Sequence, residues 1–218
     1  MTNKLEEYKF KLNECKDSGT LYIILSGLDG GCDELLIRDI SSYLSKNAST
    51  LNIKFLNCTD IKFDLKEFSS IIELILQKKN LNKKEIIYVG HSLSCYFIAA
   101  HLNSKGSKNI CIFLDPTPIK ILDNLKDHDF EEDENFYISK QEKEFKINKK
   151  LITPIKEGLV SNNIYQNKNY KIVLSSNYLD EPKKIDEKYF VSEHEIIFYK
   201  ATHSFEELGN EDFKVLFR

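Results

Sequence analysis

The chain has 218 residues, 41% hydrophobic and 30% charged, enough to bury one full core and too few for two comfortable domains. A single domain spanning residues 1–218 is therefore expected. The balance of 31 Lys+Arg against 34 Asp+Glu, a formal net charge of -3, lacks the basic excess that binding a phosphate backbone requires, so nucleic acid is not an expected partner.

The first residues, Met1-Thr-Asn-Lys-Leu-Glu-Glu-Tyr-Lys-Phe10, lack the features of a secretory signal, and no apolar run approaches membrane-spanning length. A cytoplasmic protein with no membrane span is the expectation. Residues 1–18 read as a polar helix or frayed arm. Short apolar, β-branched runs then recur at Leu21–Leu25, Ile53–Leu56, Ile86–Val89, Ile110–Leu114, Ile172–Leu174 and Ile196–Tyr199, as suits strands buried on both faces. Segments with helical spacing lie between them, notably Glu34–Leu44, Phe68–Leu76 and Cys95–Leu102, and Glu206–Phe217 closes the chain as a further helix. This alternation predicts an α/β fold of three layers, α/β/α, around a mainly parallel sheet of about six strands. The spacing breaks once, over residues 115–170, where the acidic cluster Asp127–Glu134 precedes the mixed-charge stretch Ser139–Lys150. Solvated helix faces explain such charge runs, and a helical insertion or cap within the domain is the sharper expectation.

Cys15, Cys32, Cys58, Cys95 and Cys111 are odd in number, widely spaced and mostly set in apolar patterns, so they read as reduced core residues. No Cys-x-x-Cys or His-x-x-x-His pair occurs, and no metal or cofactor is expected.

Gly90-His91-Ser92-Leu93-Ser94 follows a strand-like run and precedes a helical one. A strand-to-helix turn this tight needs small residues two before and two after its centre, which Gly90 and Ser94 are, and it exposes the central hydroxyl above the sheet. The new helix also directs its N-terminal amides at the same point, where they can hold an oxyanion. A serine capping a helix after a buried strand is the plainer reading of the same residues. Here the sequence resembles the α/β-hydrolase family, whose elbow is Gly-x-Ser-x-Gly, with Ser94 replacing the last glycine. Leu25-Ser26-Gly27-Leu28-Asp29-Gly30-Gly31 is similar to the family's His-Gly-x-x-Gly loop, with Ser26 where many members carry histidine. The resemblance implies a reduced α/β-hydrolase fold with a helical insertion. It also implies Ser92 as nucleophile and the backbone N–H groups of Leu28 and Leu93 as oxyanion hole, with Gly27, Asp29 and His91 beside the substrate.

A serine nucleophile needs a base and a group that orients the base. His203 lies just past the last strand run and before the terminal helix, where the family carries its histidine, and the order serine, acid, histidine is respected. His101 falls in the helix after the elbow, His128 in the charged insertion, and His194 before the last strand. Asp180, a few residues past the Ile172–Leu174 run, is the first choice of acid. Asp115 is the alternative, either as acid or as the cap of an Asp-Pro turn, and Glu181 is a nearby fallback.

The function expected from the resemblance is cleavage of an ester or thioester through an acyl-enzyme on Ser92, or transfer of the acyl group, with a small-molecule acyl substrate. The alternative is a non-catalytic α/β-hydrolase-like binding protein, motivated by Ser94 and Ser26. Apolar residues of the insertion, Phe136 and Tyr137 among them, are candidates to line an acyl pocket. Oligomeric state and substrate identity are not written in the sequence.

Overall fold

The computed structural model describes residues 9–27, 34–54, 60–61, 65–81, 84–116, 135–140, 143–148, 169–175, 196–202 and 204–218. Its strands are β1 (Lys9–Asn13), β2 (Thr20–Leu25), β3 (Ser49–Lys54), β4 (Asp60–Ile61), β5 (Glu85–His91), β6 (Ile110–Leu114), β7 (Asn135–Lys140), β8 (Lys143–Asn148), β9 (Tyr170–Ser175) and β10 (Ile196–Tyr199). The helices are α1 (Leu35–Leu44), α2 (Leu65–Lys78), α3 (Leu93–Ser104) and α4 (Asn210–Leu216).

Seven of the described strands form the main sheet in the order β1-β3-β2-β5-β6-β9-β10. The last six in that order are mutually parallel, as the apolar runs lead one to expect, and β1 joins antiparallel at the edge. Side chains alternate across each strand, so the sheet feeds two cores. Leu21, Ile23, Leu25, Cys111, Phe113, Ile172 and Leu174 pack against α2 and α3 on one face. Ile24, Val89, Ile112, Leu114 and Val173 pack against α1 and α4 on the other. This is the expected α/β/α sandwich. From β2 the chain steps outward to β3, then returns to lay β5 on the other side of β2, so its direction of winding reverses between β2 and β5. In open parallel sheets that reversal leaves a crevice at the carboxyl ends of the two strands.

Helix α3 follows β5 and is buried from Leu93 through Leu102. An all-round apolar helix of this kind belongs in a core, here between the sheet and α2, where the rings of Phe97 and Phe68 stack at 5.5 Å. With Ser94, His101 is a polar exception. It is 4% exposed, its Nδ1 lies 2.8 Å from Ser69 Oγ, and burial lowers its pKa to about 4.

Three expectations are corrected. The arm expected to be a polar helix or frayed contains strand β1, because Phe10 and Leu12 alternate with lysines and pack on the core while Lys11 stays outside. The third strand begins at Ser49, not Ile53, and its polar start is buried. Ser49 Oγ accepts the Cys15 N–H at 3.0 Å, and Thr50 Oγ1 shares hydrogen bonds with Ser41 and Asn13. Finally, the described part of the insertion is a β-hairpin, β7–β8, with β4 alongside β8, where helices were expected. Phe136, Ile138, Phe145 and Ile147 recur at a period of two, which outweighs the charge content between them.

His101 makes stability depend on pH. Its folded pKa is about 4 against an ordinary 6.5, so below pH 6.5 the unfolded chain binds a proton that the folded chain refuses. Stability is therefore lost as pH falls from 6.5 toward 4, by up to about 3 kcal/mol from this group. Urea unfolding of wild type and His101→Gln at pH 7 and pH 5 should show the stability gap between them narrowing at pH 5. A constant gap would contradict the assignment.

Candidate active site

β5 ends at His91 and α3 begins at Leu93, leaving Ser92 alone to turn the chain. Its backbone sits at φ 54° and ψ −124°, which an L-residue adopts only under constraint. The constraint comes from the neighbouring strands. The Ser92 N–H donates to Leu114 O at the end of β6 at 2.9 Å. Gly90 lets α3 settle on β5: a Cβ there would lie 2.8 Å from Ile98 Cδ1 and 3.2 Å from the Cys95 Cα and N. Gly27, two residues past β2, is equally close, since its Cβ would lie 2.9 Å from Ser92 Cβ. Neither position has room for a side chain.

Ser94, the departure from the family's glycine, is 2% exposed and structural. Its Oγ accepts the His91 N–H at 2.9 Å, and its one proton has the carbonyl oxygens of Leu25 and His91 to donate to, each at 2.9 Å. A glycine would give the turn freedom; this serine gives it a hydrogen-bonded tie to the end of β2.

The ends of β2 and β5 therefore meet at the crevice, with Ser92 between Gly27 and the first turn of α3, where the Cys95 N–H donates back to Ser92 O at 3.2 Å. Leu93 supplies the first N–H group of that helix, at the end where helix geometry leaves amides to outside acceptors. His91 is 5% exposed, its Nδ1 lies 3.7 Å from Glu34 Oε1, and its ring stands edge-on to Phe205 at 6.2 Å. It is thus enclosed by protein where a substrate contact was expected.

Leu28 and Asp29 of the glycine loop, Asp180 with its neighbour Glu181, and His203 lie outside the described residues. So do the side chains of Phe136 and Tyr137, whose backbones pair with Ile147 and Lys146 in the hairpin. The residues flanking His203 are described: Thr202 Oγ1 and Ser204 Oγ are 2.8 Å apart, Glu207 accepts the Thr202 N–H at 3.2 Å, and Phe205 is buried at φ 53° against His91. Asp115 is 1% exposed at φ 43°, and its Oδ1 accepts the Ser175 N–H at 2.6 Å while its own N–H donates to Val173 O at 2.8 Å. It joins the ends of β6 and β9, the capping role open to it in the sequence. Sequence reasoning missed Glu34, whose only signal was its place at the end of the glycine loop.

No described helix is long and apolar enough to cross a membrane. Among the described residues no group of three or more His, Cys, Asp or Glu could hold a metal ion. Cys95 and Cys111 are buried thiols whose pKa values burial raises well above the ordinary range.

Substitutions at two positions test the elbow's mechanics. Ser94→Ala strips partners from a buried N–H and a buried carbonyl and should cost about 1–3 kcal/mol in urea unfolding. Ser92→Gly should be more stable than Ser92→Ala by about 1 kcal/mol, because only glycine is at ease at this φ. Equal stability of the two position-92 variants would show that the turn is unstrained.

No family model matches the sequence, and no curated protein aligns with it significantly. Solved structures do match. Est1E from Butyrivibrio proteoclasticus superposes with a TM-score of 0.70 at 15% identity, covering 96% of this chain and 93% of that one. Alpha/beta hydrolase domain-containing protein 10 from mouse gives 0.67 at 13% identity, covering 96% and 90%. The esterase domain of a Rhodothermus marinus protein gives 0.65 at 10%, covering 95% and 93%. With the sheet order and elbow described above, these likenesses establish that the chain has the α/β-hydrolase fold.

Proposed function

We propose that the chain is a serine hydrolase that cleaves an ester or thioester through an acyl-enzyme on Ser92, or passes the acyl group to another acceptor. The observation that carries this reading is the strained Ser92 at the reversal point of the sheet, between Gly27 and the N-terminus of α3. Strain of that kind persists where the surrounding structure over-determines it, and such places cluster at reaction centres.

In this reading His203 takes the Ser92 Oγ proton as the oxygen attacks the acyl carbon. The N–H groups of Leu28 and Leu93 hold the resulting oxyanion. Collapse of the tetrahedral intermediate expels the alkoxide or thiolate, which receives the proton from His203. Water then gives a proton to His203 as it attacks the acyl-enzyme, and His203 returns that proton to the Ser92 oxygen as the acid departs. Asp180 orients the imidazole. Asp115 is the weaker choice, because its carboxylate already accepts the Ser175 N–H. Support for His203 comes from Phe205, two residues further on, which packs against His91 beside the nucleophile. Further support comes from the fold, shared with an esterase domain and with a dienelactone hydrolase from Anabaena variabilis.

A short-chain p-nitrophenyl ester and a fluorophosphonate probe test the proposal. Wild type should hydrolyse the ester and take up the probe covalently. Ser92→Ala should lose labelling and roughly 10⁴-fold or more of kcat while unfolding at nearly the same urea concentration. Folded wild type that neither labels nor turns over would make the chain a binding protein instead.

The insertion is proposed to govern substrate choice more than chemistry, since it leaves the sheet at β6, whose end is tied to Ser92. Replacing Phe136 and Tyr137 with alanine should change the ratio of kcat/KM between long and short acyl esters more than turnover of the shortest. A uniform fall across chain lengths, or no change in a folded variant, would contradict that role.

A further inference from the structure

Glu34 stands immediately before α1, a position where Ser, Thr, Asp or Asn ordinarily caps the first amides. Its side chain makes no capping hydrogen bond, and its carboxylate is largely buried, Oε1 lying 3.7 Å from His91 Nδ1. Helix capping therefore does not explain it. His91 meets both ends of the glycine loop, with Glu34 at the far end and Gly27 at the near one, where a Cβ would come within 3.2 Å of Nδ1. Its ring also meets Phe205, on the segment following His203.

We infer that Glu34 and His91 are a positioning pair: the carboxylate beside Nδ1 keeps the imidazole in place, and the imidazole in turn keeps Gly27 and Glu34, the described ends of the loop from β2, against the elbow that carries Ser92. This rests on the acyl-enzyme reading, in which that loop donates the Leu28 N–H to the oxyanion. A donor in the oxyanion hole acts only in the transition state, so loosening it lowers kcat and leaves ground-state binding alone. At 3.7 Å the contact is longer than a hydrogen bond, so the carboxylate's charge beside the ring, more than a directed bond, is the property to vary.

Steady-state kinetics on the short p-nitrophenyl ester should show Glu34→Ala losing about 10- to 100-fold in kcat with KM within about 2-fold. Glu34→Asp, which keeps the charge on a shorter stem, should recover a substantial part of that loss, whereas Glu34→Gln should not. His91→Gln should lower kcat by a similar factor, and the double variant should lose no more than either single change. Amide hydrogen exchange across residues 26–37 supplies a readout that needs no turnover, and it should quicken in Glu34→Ala while the β5–α3 segment is unchanged. Wild-type kcat and wild-type exchange in Glu34→Ala, or additive losses in the double variant, would overturn the pair. Quickened exchange in a protein whose wild type has no hydrolase activity would instead keep the pair and overturn the acyl-enzyme reading.

Discussion

The backbone of Ser92, held at φ 54° and ψ −124° between β5 and α3, is the constraint to which the neighbouring geometry answers. A non-glycine residue in such a conformation costs about 1–3 kcal/mol, and it persists only when its surroundings leave no alternative. Here those surroundings can be named. Leu114 O receives the Ser92 N–H, Ser94 Oγ ties the turn to Leu25 and His91, and α3 is locked by burial along nearly its whole length. Each hydrogen bond contributes about 0.5–1.5 kcal/mol, so two or three of them are enough to offset the strain.

The same device recurs at the next strand end. Asp115, at φ 43°, closes β6 much as Ser92 closes β5, and its carboxylate and N–H join it to Ser175 and Val173 of β9. Reading across the sheet, Leu25, Ser94, Ser92, Leu114, Asp115 and Ser175 form a belt of hydrogen bonds over the carboxyl ends of β2, β5, β6 and β9. A belt of this kind fixes where loops depart from the sheet, and a reaction centre built from loops needs that to hold its groups within a fraction of an ångström. Gly27 and Gly90 serve the same end by omission, since a methyl group at either would press on Ser92 or on the Cys95 backbone.

The parallel strands, the helices between them and the elbow were legible because each has a local signature: continuous apolar runs, helical spacing, and small residues around one serine. Other elements were hidden for physical reasons. The polar start of β3 conceals a strand because Ser49 and Thr50 are satisfied by Cys15 and Asn13, partners 34 and 37 residues away in sequence, which no local window contains. The charges of β7 and β8 mask a period-two pattern that takes shape only as a hairpin. Ser94 looked like an imperfect glycine and is a tie between two strands, a role visible only once Leu25 lies beside it. The pairing of Glu34 with His91 spans 57 positions of sequence and depends on the order of β2 and β5 in the sheet, so composition and spacing carried no trace of it.

Acylation of the Ser92 hydroxyl during turnover, as proposed, can be tested directly. Quenching the reaction with a slowly deacylating p-nitrophenyl ester in acid and mapping the peptides by mass places any acyl group on one residue. The expected result is a single acyl adduct on the peptide containing Ser92, formed as fast as p-nitrophenol is released in the first turnover. Release of p-nitrophenol with no adduct, or with the acyl group on any other residue, would contradict it.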